Sequence, residues 1–67
     1  MKIIVNNIQL FVSSDGIYYE VYWMEDKINF PSTYFATHEE AKRYRNSLPS
    51  PTAFAIEKRQ YIEKMGL

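Results

Sequence analysis

Residues 17–24 read IYYEVYWM, a run in which six of the eight side chains are β-branched or aromatic. Residues of these types suit a pleated, half-buried strand. Successive side chains of a strand point to opposite faces, so Ile17, Tyr19, Val21 and Trp23 share one face, and Tyr18, Glu20, Tyr22 and Met24 share the other. What covers each set decides the fold.

Turn signals flank this run on both sides. Working outward, residues 1–35 read as strand 2–5, Asn6-Asn7, strand 8–12, Ser13-Ser-Asp-Gly16, strand 17–24, Glu25-Asp26 and strand 27–31. Asparagine tolerates positive φ, which suits Asn6-Asn7 to a two-residue hairpin turn, and Asp15-Gly16 suits a longer loop. These turns place Val5 opposite Ile8, Ile3 opposite Leu10, Leu10 opposite Tyr19, Trp23 opposite Ile28 and Val21 opposite Phe30. One face then carries Ile3, Val5, Ile8, Leu10, Val12, Ile17, Tyr19, Val21, Trp23, Ile28 and Phe30 with no charge among them. Pro31 has no amide to give a ladder and fits the fourth strand as an edge.

Residues 37–65 carry helical punctuation. Thr37-His-Glu-Glu40 is a capping box, Ala41, Tyr44 and Leu48 recur at helical spacing, and Pro49 ends the segment. Ser50-Pro51 restarts a helix, with Phe54, Ala55, Tyr61, Ile62 and Met65 in one stripe and Gly66 as C-terminal cap, while Ile56 points away from that stripe. The sequence thus predicts one α+β domain over residues 1–67: a four-stranded antiparallel β-meander (1–35) with helices at 37–48 and 51–65 packed on one face, a ββββαα two-layer sandwich.

Sixty-seven residues hold only a thin core, because a chain of this size hides only about 60% of its unfolded surface. There is no cysteine, so disulfides are excluded and packing must stabilise the fold; aromatic residues make up 16% of the chain and supply large rings for it. No apolar run reaches the roughly 20 residues of a membrane span, and the N-terminus lacks a secretory pattern, so a cytoplasmic protein is expected. Eight basic residues balance eight acidic ones, which counts against a dedicated nucleic-acid binder.

The catalytic inventory is poor, and a non-enzymatic protein without cofactor or metal is expected. His38 is the only histidine, Glu39 and Glu40 suit the first turn of a helix, and the serines fall in turns and caps. Two glycines cannot build a phosphate loop. Two features remain. Lys42, Arg43, Arg45, Lys58 and Arg59 form basic clusters that read as solvated helix faces or, if they converge, as a phosphate-contacting edge. The outward sheet face carries Phe11 opposite Tyr18, then Glu20, Tyr22 and Met24, and large apolar side chains on an uncovered face mark a contact site.

The segment Tyr19-Glu-Val-Tyr-Trp23, followed by Tyr34-Phe-Ala-Thr-His-Glu-Glu-Ala41, resembles the N-terminal arm-site DNA-binding domain of phage-type tyrosine recombinases over residues 17–48. Phe35, Thr37, Glu40 and Ala41 fit that family's helix-opening motif. The resemblance implies a strand–turn–strand–helix layout and DNA contact through the sheet, although Tyr18, Glu20 and Tyr22 stand where those domains carry lysine and arginine. Small neutral phage-encoded inhibitors, anti-CRISPR proteins among them, are similar in size. The leading expectation is a protein-binding accessory or inhibitor protein of a phage or mobile element, which binds a partner or a second copy through Phe11, Tyr18, Glu20, Tyr22 and Met24. DNA binding through the sheet or the basic residues is the alternative.

Overall fold

A computed structural model describes residues 1–62. It shows β1 (Lys2–Val5), β2 (Ile8–Phe11), β3 (Ile17–Trp23), β4 (Thr33–Phe35), α1 (His38–Asn46), a single 3₁₀ turn (Pro51–Ala53) and β5 (Phe54–Gln60). β1 and β2 form a two-stranded sheet, and β4, β3 and β5 form a second, with β3 in the centre. The protein is therefore a small α+β fold. The four-stranded meander with two helices is not found: among the described residues there are five strands in two sheets and one helix.

The first hairpin forms as its turn dictates. Asn6 and Asn7 adopt φ of 47° and 66°, the left-handed pair that a tight hairpin turn needs, and Ile3 faces Leu10 while Val5 faces Ile8. The sheet does not continue into β3. Val12 closes back on the N-terminus instead: its amide donates to the Met1 carbonyl (2.8 Å), and the Met1 ammonium donates to the Val12 carbonyl (2.6 Å). Gly16, at φ 76°, then carries the chain into the other sheet, where its carbonyl accepts from the Tyr61 amide at 2.9 Å. The expected pairings of β2 with residues 17–24 are absent for that reason.

The expected strand at 27–31 is a turn. Asp26 accepts from the Asn29 amide (2.9 Å) and from the Asn29 side chain (3.0 Å), an Asx arrangement that competes with any ladder. The strand beside β3 is Thr33–Phe35, just past Pro31, and it sets Tyr19 opposite Phe35 and Val21 opposite Thr33. The expected second helix is also corrected. Ser50-Pro51 starts only one 3₁₀ turn, and the chain then extends as β5, which pairs with the whole of β3, Trp23 with Phe54, Val21 with Ile56 and Tyr19 with Lys58. Of the residues assigned to that helix, 63–65 lie outside the described residues, as does its Gly66 cap.

β3 divides by face as alternation requires. Tyr19 meets His38 of α1 at 5.3 Å between rings, and Phe35 meets Tyr44 at 5.2 Å, which places the helix over the Tyr19, Val21, Phe35 face. Thr37 caps the helix by accepting from the Glu40 amide (3.2 Å), and its hydroxyl donates to the Glu40 carboxylate (2.9 Å). Ala41 and Val21 are buried between helix and sheet. The hairpin docks on the opposite side, where Asn6 donates to the Tyr34 hydroxyl at 2.7 Å. Its inner residue Ile3 is only 2% exposed, while Ile4 and Phe11 on its outer face are exposed. The three-stranded sheet thus lies between a helix and a hairpin.

Candidate functional site

The side of the sheet away from the helix carries Tyr18, Glu20 and Tyr22 of β3, Tyr34 of β4 and Ala55, Glu57 and Arg59 of β5, as register requires. At its centre Glu20 is the one buried charged residue among those described, 3% exposed. A buried carboxylate must be paired and hydrogen-bonded, and Glu20 is both. Its carboxylate accepts from Arg59 Nε at 2.7 Å and from the Ser32 hydroxyl at 2.5 Å, and Lys27 Nζ lies 3.6 Å away. Glu57 sits directly across the ladder from Glu20. Two like charges so placed repel, and Arg59 answers both, with Nη2 at 3.2 Å from Glu57.

Burial pushes the Glu20 carboxyl up. The hydrogen bonds from Ser32 and Arg59 and the charges of Lys27 and Arg59 outweigh it, so the group sits below its ordinary value and stays ionised. Arg59 is correspondingly held above its ordinary value, first by its hydrogen bond to Glu20. Lys27 reaches this network from the 24–32 turn, with its ammonium 4.7 Å above the Tyr22 ring, an attractive cation–π contact.

A cleft of about 420 Å³ opens above the carboxylate. Asn6 and Ile8 of the hairpin form one wall, Lys27, Ile28, Pro31 and Ser32 form the other, and Glu20 and Tyr34 lie at its floor. Its volume falls within the range of small binding sites, roughly 300–1,000 Å³. Apolar Ile8, Ile28 and Pro31 line it together with the polar and charged side chains. Ile28 is 93% exposed there, held out by the Asp26–Asn29 turn that replaces the expected strand.

The expected contact residues separate. Tyr18, Glu20 and Tyr22 are brought together on this face, but Tyr18 is half-buried near Tyr34, with rings 6.2 Å apart, and Tyr22 is half-buried under Lys27. Phe11 is 74% exposed on the hairpin's outer face, in a different sheet, and Met24 is exposed just beyond β3. Sequence reasoning missed Asn6, Lys27, Ile28, Ser32 and Tyr34. The one local signal was Asp26 three residues before Asn29.

The basic residues do not form one surface. Lys58 and Arg59 are neighbours in β5 and so point to opposite faces, and Arg59 is engaged by Glu20 and Glu57. Lys42 and Arg43 are exposed on α1, whereas the Arg45 Nε is buried without a hydrogen-bond partner among the described residues. His38 lies on the helix side, across the sheet from Glu20. Among the described residues no cluster of three or more metal-binding side chains occurs, and no helix is long and apolar enough to cross a membrane.

No protein family, curated protein or solved structure matches the chain. The resemblance to recombinase arm-site domains rests on the residues of the 17–48 segment alone.

Proposed function

We propose that this protein is a non-enzymatic protein-binding module that takes a segment of its partner into the cleft between the hairpin and the 24–32 turn. The observation that carries this reading is Ile28, almost fully exposed at the lip of a cleft whose floor is an ordered polar network. A large apolar side chain held in water beside a concave site is characteristic of a binding surface. The cleft suits a polypeptide segment with one large apolar side chain, to pack between Ile8 and Ile28, and backbone carbonyls beside it, to accept from the Lys27 ammonium and the Tyr34 hydroxyl. Catalysis is disfavoured on this geometry. The Glu20 carboxylate is fully engaged, the Ser32 hydroxyl donates to it, and no imidazole is within reach to activate that hydroxyl.

Affinity capture followed by reconstitution with the purified partner tests the reading. Ile28→Asp is expected to weaken binding tenfold or more, consistent with the loss of an interface anchor worth about 2 kcal/mol, while its circular dichroism stays that of the parent. Phe11→Ser, on the hairpin's outer face, is expected to bind as the parent does. Undiminished binding by Ile28→Asp, or a loss confined to Phe11→Ser, removes the cleft from the interface.

A further inference from the structure

Among the described residues the outer edge of β5 is unpaired, and it has a defined hydrogen-bond phase. The Met24 amide donates to the Ala53 carbonyl at one end of the β3–β5 ladder, and the Tyr61 amide donates to the Gly16 carbonyl at the other. In an antiparallel ladder the residues that exchange bonds alternate with those that do not. The odd-numbered positions of β5 therefore bond to β3; the Phe54 amide is taken by the Pro51 carbonyl, and Ile56, Lys58 and Gln60 turn their N–H and C=O groups outward. β5 is the last strand of its sheet, and no described residue takes these groups. Such an edge is a template for another strand.

We propose that the occupant is the β5 edge of a second copy of this chain, paired antiparallel about a two-fold axis through Lys58. Glu57, Lys58 and Arg59 would discourage most strands from this edge, but in this register each Glu57 stands opposite the Arg59 of the other copy. Among the described residues Arg59 Nε is held by Glu20 and Nη2 by Glu57, which leaves Nη1 for it. The two Lys58 residues meet on the other face, where each is exposed and its long stem carries the ammonium into water. The result is one six-stranded sheet with a helix on each half.

Sedimentation equilibrium of the full chain tests this. The parent is expected to approach twice its 8.0 kDa at high micromolar concentration. Lys58→Pro removes only an outward amide and leaves the β3 ladder bonded, so it is expected to be a folded monomer by circular dichroism. Glu57→Arg, at a half-buried position, sets arginine against arginine; it is expected to keep the circular dichroism of the parent, to weaken dimerisation at least tenfold and to serve as the reading should the proline variant fail to fold. A parent that stays monomeric at millimolar concentration overturns the proposal, as does a dimer that persists in Glu57→Arg. Lys58→Pro changes a residue on the face of the sheet opposite the cleft, and Ile28→Asp leaves the mass unchanged, so the two proposals fail separately.

Discussion

Arg59 of β5 and Glu20 of β3, 39 positions apart in the chain, meet at 2.7 Å on the side of the sheet away from the helix. The contact joins the last strand to the central one, and through Ser32 and Lys27 it also fixes the 24–32 turn that forms one wall of the cleft. Fold and candidate site therefore share one electrostatic centre.

Loss of Arg59 leaves the Glu20 carboxylate buried with Ser32 and a more distant Lys27. Breaking a fully buried pair destabilises by about 3–5 kcal/mol, but the Arg59 side chain is 36% exposed, and solvent screening reduces the expected loss for Arg59→Ala to about 1–2 kcal/mol. That is a large share of the stability of a 67-residue domain, which is of the order of 3–10 kcal/mol. Glu20→Gln removes the charge that needs a partner, so the double variant is expected to lose less than the sum of the two single ones. Urea unfolding of the four proteins measures the coupling, and strictly additive losses would show that the pair contributes nothing.

The same carboxylate makes stability depend on pH in a defined direction. Glu20 sits below its ordinary value of 4.5 in the folded chain, so the folded state binds its proton less readily than the unfolded state does. Its contribution is fully present above pH 4.5 and is lost as pH falls through that value toward the lower folded one. Asp15 and Asp26 are also lowered, chiefly by hydrogen bonds from Ser13 and from the Asn29 amide respectively, and act in the same sense. The melting temperature is expected to fall between pH 5 and pH 3, and to fall less steeply in Glu20→Gln. Parallel curves for the two proteins would assign the acid sensitivity to other groups.

Features decided by a few adjacent residues were legible in the sequence. Asn6-Asn7 set the hairpin and its register, Thr37 and Glu40 set the start of the helix, and alternation divided the two faces of β3. The identity of the neighbours of β3 was not legible, because it depends on residues far apart in the chain. Successive turns suggested strands 8–12 and 27–31; the structure uses 33–35 and 54–60. In the second case Phe54, Ala55, Tyr61 and Ile62 fit a helical stripe and a strand alike, and Ile56 was the residue that could have decided it. It falls off the helical stripe, yet in β5 it shares a face with Phe54 and lies opposite the buried Val21. The site was hidden for the same reason. A glutamate on the outer face of a sheet is ordinarily solvated, and only the arrival of Arg59 and the hairpin makes Glu20 a buried centre.

Gly16 is the residue at which the chain leaves one sheet for the other, and it tolerates no side chain there. Its φ of 76° lies in the left-handed region, and a Cβ on it would stand 2.6 Å from the Tyr61 carbonyl oxygen, a backbone atom that cannot step aside alone. The Tyr61 amide is bonded to the Gly16 carbonyl at 2.9 Å, so relief of the clash must open the end of the β3–β5 ladder. Strain of this kind destabilises by about 1–3 kcal/mol for the backbone conformation itself, with the contact adding to it. Gly16→Ala is expected to lower the melting temperature by roughly 10 °C, given about 4–8 °C per kcal/mol for a domain of this size, and to speed hydrogen exchange at the Tyr61 amide ahead of the centre of the ladder. An unchanged melting temperature, or exchange at Tyr61 as slow as in the parent, would mean that the β3–β5 pairing does not extend to Gly16.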